Sequence, residues 1–221
     1  MHDAARHYSP LDQLLSVIDQ GLRVVSGAGT PCEAGGRASP ASAPGLSGPE
    51  PGSTAARLSA GLMRVNHAGE VAAQALYQGQ ALVARDPELR SFLKAAAREE
   101  GDHLNWCRER LTALGSHPSR LDPIWYAGSV AIGALAGLTG DRLSLGFMAE
   151  TERQVEGHLD AHLARLPAED AASRAVIEQM QRDEVAHGAH ALERGGVELL
   201  PPVRALMRLT AKLMTSSAYW F

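Results

Sequence analysis

The sequence is poor in the features that mark several protein classes. It holds two cysteines in 221 residues, Cys32 in an irregular stretch and Cys107 in a helical one. The two can pair in principle, but nothing else resembles a disulfide framework, so a reducing compartment is expected. Aromatic residues make up 5% of the chain against 45% hydrophobic residues in all, which favours Ala-rich, close-packed helices over a sandwich of strands. There is no basic excess: the formal net charge is -4. That removes the counterion release on which general nucleic-acid binders depend, and no nucleic-acid partner is expected. The apolar run from Pro123 to Thr139 falls short of the roughly 20 residues that span a bilayer. Met1 to Tyr8 lacks an apolar signal core, and Asp3, Asp12 and Asp19 do not suit a mitochondrial presequence, so a bacterial cytoplasmic compartment is read.

What is present is helical periodicity. Leu11, Leu14, Leu15, Ile18, Leu22 and Val25 predict a short amphipathic helix within an N-terminal segment, 1–26, outside the main bundle. Residues 27–56 are dominated by Gly, Pro, Ala and Ser and read as a flexible linker. Residues 57–221 form the main domain. A first helix runs from Leu58 to the Asp86-Pro87 break, and a second from Pro87 to Gly115. A third covers about Arg142 to Arg165, and a fourth about Ala171 to Glu193, with Pro167 between them. The stretch 123–139 reads as a long apolar crossover, buried or interfacial. After Pro201-Pro202, Arg204, Arg208 and Lys212 recur every four residues among Val203, Leu206, Met207 and Met214. This last segment is either a helix lying on an anionic membrane or a packed terminal helix with a solvated face. The fold class is all-α: a four-helix bundle with a long apolar crossover between its second and third helices and an extra C-terminal helix.

Two Glu-x-x-His motifs stand on these helices, Glu100-Gly-Asp-His103 and Glu184-Val-Ala-His187, and each puts a carboxylate and an imidazole one turn apart on one face. With 15 Glu and 9 His in the chain, chance supplies about 0.6 such matches, so the bare motif is weak. The context is stronger. Glu70, Glu100, His103 and then Glu152, Glu184, His187 form a repeat, with Glu-to-Glu separations of 30 and 32 residues. Residues at equal depth in an antiparallel pair lie equally far from the turn, because each step advances about 1.5 Å. The Glu70–His103 midpoint falls on the Asp86-Pro87 break, and that of Glu152–His187 falls beside Pro167 to Asp170. One Glu from each of two helices plus Glu-x-x-His from each of the other two is the arrangement of ferritin-like di-iron and di-manganese carboxylate proteins. Oxygen and imidazole donors suit iron or manganese better than zinc, and two iron ions per chain are expected.

Around these six, Glu99 and Asp183 stand immediately before the helical glutamates, where each can accept from the distal nitrogen of a ligating histidine or simply face solvent. His67 and Tyr77 share roughly the face of Glu70 and are candidates for its surroundings. His158 and His162 form an i, i+4 pair off the face of Glu152 and read as pocket or surface residues.

The run Leu62-Met-Arg-Val-Asn-His-Ala-Gly-Glu-Val-Ala-Ala-Gln-Ala-Leu-Tyr-Gln-Gly-Gln80 resembles the signature of the demethoxyubiquinone hydroxylase family, particularly its bacterial members. The resemblance continues through Glu100 to Trp106, Leu145 to Glu152 and Asp183 to His187, covers most of residues 58 to 217, and takes in His7-Tyr-Ser-Pro10. By position it implies iron ligation by Glu70, Glu100, His103, Glu152, Glu184 and His187, with Glu100 and Glu184 able to bridge. It further implies O2-dependent hydroxylation of a demethoxyubiquinol ring in the penultimate part of ubiquinone biosynthesis. An electron donor, NADH among the candidates, is implied as well, together with other ubiquinone-biosynthesis proteins as partners. Because the substrate carries a polyprenyl tail, so is a peripheral position on the cytoplasmic side of a bacterial cell membrane. Two other readings use the same residues: an iron-binding or ferroxidase protein of ferritin type, and a diiron hydroxylase of another substrate such as a tRNA base. A purely structural bundle would leave four buried carboxylates uncompensated, at a cost on the order of several kcal/mol each.

Overall fold

In the computed structural model, which describes residues 10–26 and 36–221, the described residues form seven α-helices and no strand. They are α1 (Pro10–Ser26), α2 (Thr54–Val83), α3 (Pro87–Ala113), α4 (Asp122–Leu138), α5 (Asp141–Arg165), α6 (Ala171–Glu193) and α7 (Pro201–Ala218). Helices α2, α3, α5 and α6 make the bundle. Its boundaries follow from local chemistry. Ser53 Oγ accepts from the Ala56 amide at 3.0 Å to start α2. Asp86 accepts from Glu88 at 2.9 Å, with Pro87 as the first helical residue of α3. Asp170 accepts from Ser173 at 3.0 Å to start α6. Gly115 and Gly195 take positive φ, 70° and 95°, just past the ends of α3 and α6, where a side chain would be strained.

The apolar side chains fall into two layers. At one depth lie Leu62, Met63, Cys107, Leu111, Leu159, Val176, Ile177 and Met180. At the other lie Tyr77, Leu89, Leu93, Ala96, Leu145, Met148 and Ala191. On each bundle helix the predicted site residue falls between its contributions to the two layers, so hydrocarbon closes the site from both ends.

The apolar crossover is itself a helix, α4. It lies along α2 through Gly133 and Gly137, which abut Leu76, Gln80 and Val83, while Ile124, Leu135 and Leu138 on its other side are about 60% exposed or more. Helix α1 is carried on the outside of the bundle: Val24 packs with Val71, Ala75, Leu104 and Tyr126, and the Tyr126 hydroxyl donates to Val17 O at 2.9 Å. Its Leu11, Leu15, Ile18 and Leu22 stay exposed. Helix α7 buries Ala218 alone.

Part of the segment read as a flexible linker is held on the bundle. Within 36–53 there is a 3-10 turn, Pro40–Ser42, the Ser47 carbonyl accepts from Ala172 N at 3.0 Å, and Gly48 abuts the buried Arg110–Asp170 ion pair. A composition argument weighs apolar area, whereas this segment is held by hydrogen bonds of its backbone, those of residue 37 to Asp102 and Trp106 included. Cys107 is a buried thiol 3.8 Å from Met180 Sδ; Cys32 and the His7-to-Ser9 part of the N-terminal resemblance lie outside the described residues.

Candidate metal centre

The bundle brings all six predicted residues together. Glu70, Glu100, His103 and Glu184 form one group, and Glu100, Glu152, Glu184 and His187 a second, each with donor atoms within 4.8 Å of one another and every member buried. Glu100 and Glu184 belong to both groups. Glu184 places Oε1 at 3.1 Å from His103 Nδ1 and Oε2 at 3.2 Å from His187 Nδ1. Glu100 places Oε2 at 3.2 Å from His103 Nδ1 and Oε1 at 3.4 Å from His187 Nδ1. Each central carboxylate thus spans the two imidazoles with one oxygen apiece. Glu70 stands by His103 at 3.4 Å, and Glu152 by His187 at 3.9 Å.

Both imidazoles turn Nδ1 inward and Nε2 outward. His103 Nε2 meets Asp183 at 3.0 Å, and His187 Nε2 meets Glu99 at 2.7 Å. The pairing is crosswise: the acid before each helical glutamate serves the histidine of the other motif. Residue 99 faces 187 and 103 faces 183, the register of an antiparallel α3–α6 pair. An acceptor at Nε2 fixes the tautomer that leaves Nδ1 free as a ligand.

The electrostatics state what the cluster lacks. Burial pushes the Glu70 and Glu152 carboxyls well above the usual carboxylate range, and the charges of Glu100 and Glu184 add to this. Burial opposes ionisation of Glu100 too, yet hydrogen bonds from His103 and His187 hold it below its ordinary value. Against their own burial, both imidazoles are driven up by surrounding carboxylates, with Asp183 foremost for His103 and Glu100 for His187. Without metal the cluster keeps protons where a cation's charge belongs. Glu152 Oε2 is buried and accepts no hydrogen bond from the described residues, while Glu70 Oε2 and Glu100 Oε1 have long contacts of 3.4 Å to an imidazole Nδ1. Buried carboxylate oxygens converging beside inward Nδ1 atoms are a donor set that fits metal ions of the oxygen- and nitrogen-binding kind.

The other candidates divide. Tyr77 donates its hydroxyl to Glu152 Oε1. His67 is buried but lies 3.1 Å from Asp122 at the start of α4, not among the carboxylates. His158 and His162 touch as tilted rings with centroids 4.0 Å apart, and His162 Nδ1 sits 2.7 Å from Asn66 Oδ1; His162 is buried rather than on the surface. Arg37 went unnoticed in the sequence, because nothing in a Gly/Pro/Ala/Ser stretch marks an arginine as reaching the site. Its Nη1 lies 2.9 Å from Asp183.

The model of a family described as ubiquinone biosynthesis protein COQ7 matches residues 57–218. The 3-demethoxyubiquinol 3-hydroxylase of Nitrosococcus oceani is 54% identical over 215 residues, covering 97% of this chain and 98% of that protein. The protein of the same name from Bordetella pertussis is 53% identical over 215 residues, covering 97% and 95%. That from Cupriavidus necator is 54% identical over 209 residues, covering 95% and 99%.

Proposed function

Because the chain belongs to the ubiquinone biosynthesis protein COQ7 family, we propose that it hydroxylates the ring of a demethoxyubiquinol (2-polyprenyl-3-methyl-6-methoxy-1,4-benzoquinol) at a centre of two iron ions. The observation that carries the two-metal reading is the disposition of Glu100 and Glu184, each offering one oxygen to each histidine half. Glu70 and His103 complete one position, Glu152 and His187 the other. In the overall reaction one atom of O2 replaces a ring hydrogen as hydroxyl. The other leaves as water, with two electrons and one proton drawn from a donor such as NADH and a second proton from solvent. When bound, the irons supply the activation of O2.

The protein's own part is arrangement. Asp183 and Glu99 hold the imidazoles with Nδ1 inward, and Tyr77 holds Glu152. The hydrocarbon layers on either side keep water from the centre, which strengthens every charge interaction there. A polyprenyl quinol is delivered from a bilayer, and we place the protein peripherally on the cytoplasmic side of a bacterial cell membrane. No helix among the described residues is long and apolar enough to cross a membrane. Support for surface attachment comes from exposed Leu206, Leu209 and Leu213 on α7 and from exposed Ile124, Leu135 and Leu138 on α4. Of the three cations on α7, Arg204 is paired with Glu198 at 2.6 Å, which leaves Arg208 and Lys212 to meet anionic headgroups.

The test is quinone mass spectrometry of cells lacking the gene, complemented with the wild-type chain or Glu184→Ala. A species lighter than ubiquinone by one methoxy group should accumulate and be cleared by the wild type alone. A normal quinone profile in a deletion strain without a redundant enzyme would favour iron handling of the ferritin type instead.

A further inference from the structure

The two halves of the centre differ on their outer side. His187 ends on Glu99, whose side chain is 54% exposed and which, among the described residues, accepts from His187 alone. His103 ends on Asp183, 18% exposed and held by three donors. Oδ2 takes His103 Nε2 at 3.0 Å and Arg37 Nη1 at 2.9 Å, while Oδ1 takes Gln179 Nε2 at 3.0 Å.

Arg37 is itself fixed by the residues that flank His103 on α3. Its backbone N–H donates to Asp102 Oδ2 at 3.3 Å, and its carbonyl accepts from Trp106 Nε1 at 3.0 Å. Its guanidinium lies over the Trp106 ring at 4.8 Å, and that ring lies 5.2 Å from His103. Arg37 Nη2 also comes within 3.2 Å of His103 Nε2. With Nδ1 turned toward a metal both of these atoms are donors, so they do not bond to each other; the shared acceptor Asp183 reconciles them.

We propose that Arg37 is a positioning residue for the metal position of Glu70 and His103, acting through Asp183, and that it makes the two positions unequal. The inference rests on the two-metal reading of the site. A carboxylate clamped by a guanidinium and an amide cannot swing, so the His103 ring is held ready in one tautomer and one orientation before metal arrives. The Glu70/His103 position is therefore the rigid one and fills first. The Glu152/His187 position, backed by an exposed glutamate on a flexible stem, is the adaptable one.

Cobalt(II) titration of the full metal-free chain, read by calorimetry and visible absorption, tests this. The wild type should bind in two steps. Arg37→Gln should weaken the tighter step about 10- to 100-fold, the usual range for loss of an outer partner of a ligand, and leave the weaker step and the metal-free Tm unchanged. Arg37→Lys, which returns charge but not the fork, should recover part of the loss. Glu99→Gln should weaken the other step instead. Equal weakening of both steps together with a lower metal-free Tm would make Arg37 a strap of the fold and overturn the inference, as would an unchanged titration. A wild-type chain that binds no cobalt would overturn the two-metal reading itself.

Discussion

Tyr77 and Glu152, 75 residues apart in the chain, meet at the edge of the metal centre, where the phenol donates to the Oε1 that also lies 3.9 Å from His187 Nδ1. Burial, reinforced by the charges of Glu152 and Glu100, keeps the phenol protonated well beyond its ordinary range, so it remains a donor at any working pH. Tyr77→Phe removes that donor without opening space in the layer of Leu93 and Met148 around it. Quinol hydroxylation should fall roughly 10- to 100-fold, with helical content and Tm close to wild type. Activity within twofold of wild type would show that Glu152 needs no such anchor.

Helices α2 and α4 touch backbone to backbone. A Cβ on Gly133 would overlap the Leu76 carbonyl oxygen, and one on Gly79 would overlap Val130 O. A main-chain carbonyl inside a helix cannot give way, so Gly133→Ala should cost about 1 to 3 kcal/mol in urea unfolding. Gly128, on the same helix with nothing within 4 Å of its added Cβ, supplies the contrast: Gly128→Ala should stabilise by about 0.5 to 1 kcal/mol. Equal effects at the two positions would contradict the close crossing.

Burial, aided by the Arg165 charge, pushes His158 down to about 4. Burial, then His158, then Arg165 push His162 down to about 3. Folded values below the unfolded 6.5 mean that the unfolded chain binds protons first as pH falls. The stability these neutral rings allow is complete above about pH 6.5 and is lost as pH drops toward 4 and 3. At pH 5 the loss is about 2 kcal/mol per ring by that linkage. Chemical unfolding at pH 7 and pH 5 should show a steeper loss for the wild type than for a His158→Gln/His162→Gln double variant; matching slopes would refute the assignment.

On α7, Arg204 is spent on Glu198, whereas Arg208 and Lys212 have no acidic partner within bridging distance among the described residues. In sedimentation with anionic vesicles, Arg204→Gln should therefore change little. Arg208→Gln with Lys212→Gln should weaken binding about 30-fold, given about 1 kcal/mol per cation near such a surface. Leu209→Gln with Leu213→Gln should weaken it further, and on neutral vesicles too. Sedimentation unchanged in all three would remove α7 from the membrane reading.

Much of the architecture was legible in the sequence. Helix spacing, the Asp86-Pro87 break and the turn after Pro167 place four helices, and a fixed rise per residue sets Glu70, Glu100, Glu152 and Glu184 at one depth without reference to any neighbour. The i, i+3 spacing put His103 beside Glu100 and His187 beside Glu184 for the same reason, since all of this is geometry within a single helix or across one short turn. What tertiary structure decided was lateral. Glu99 stands four residues before His103 yet serves His187, Asp183 serves His103, Tyr77 reaches Glu152 while His67 turns to Asp122, and Arg37 arrives from a segment whose composition suggested only slack chain. Each of these depends on how far every helix is rotated about its own axis and which helix lies beside it. That is settled by the packing of the whole bundle, through glycines such as Gly133 and layers such as Leu62 and Met180, and not by any local pattern of residues.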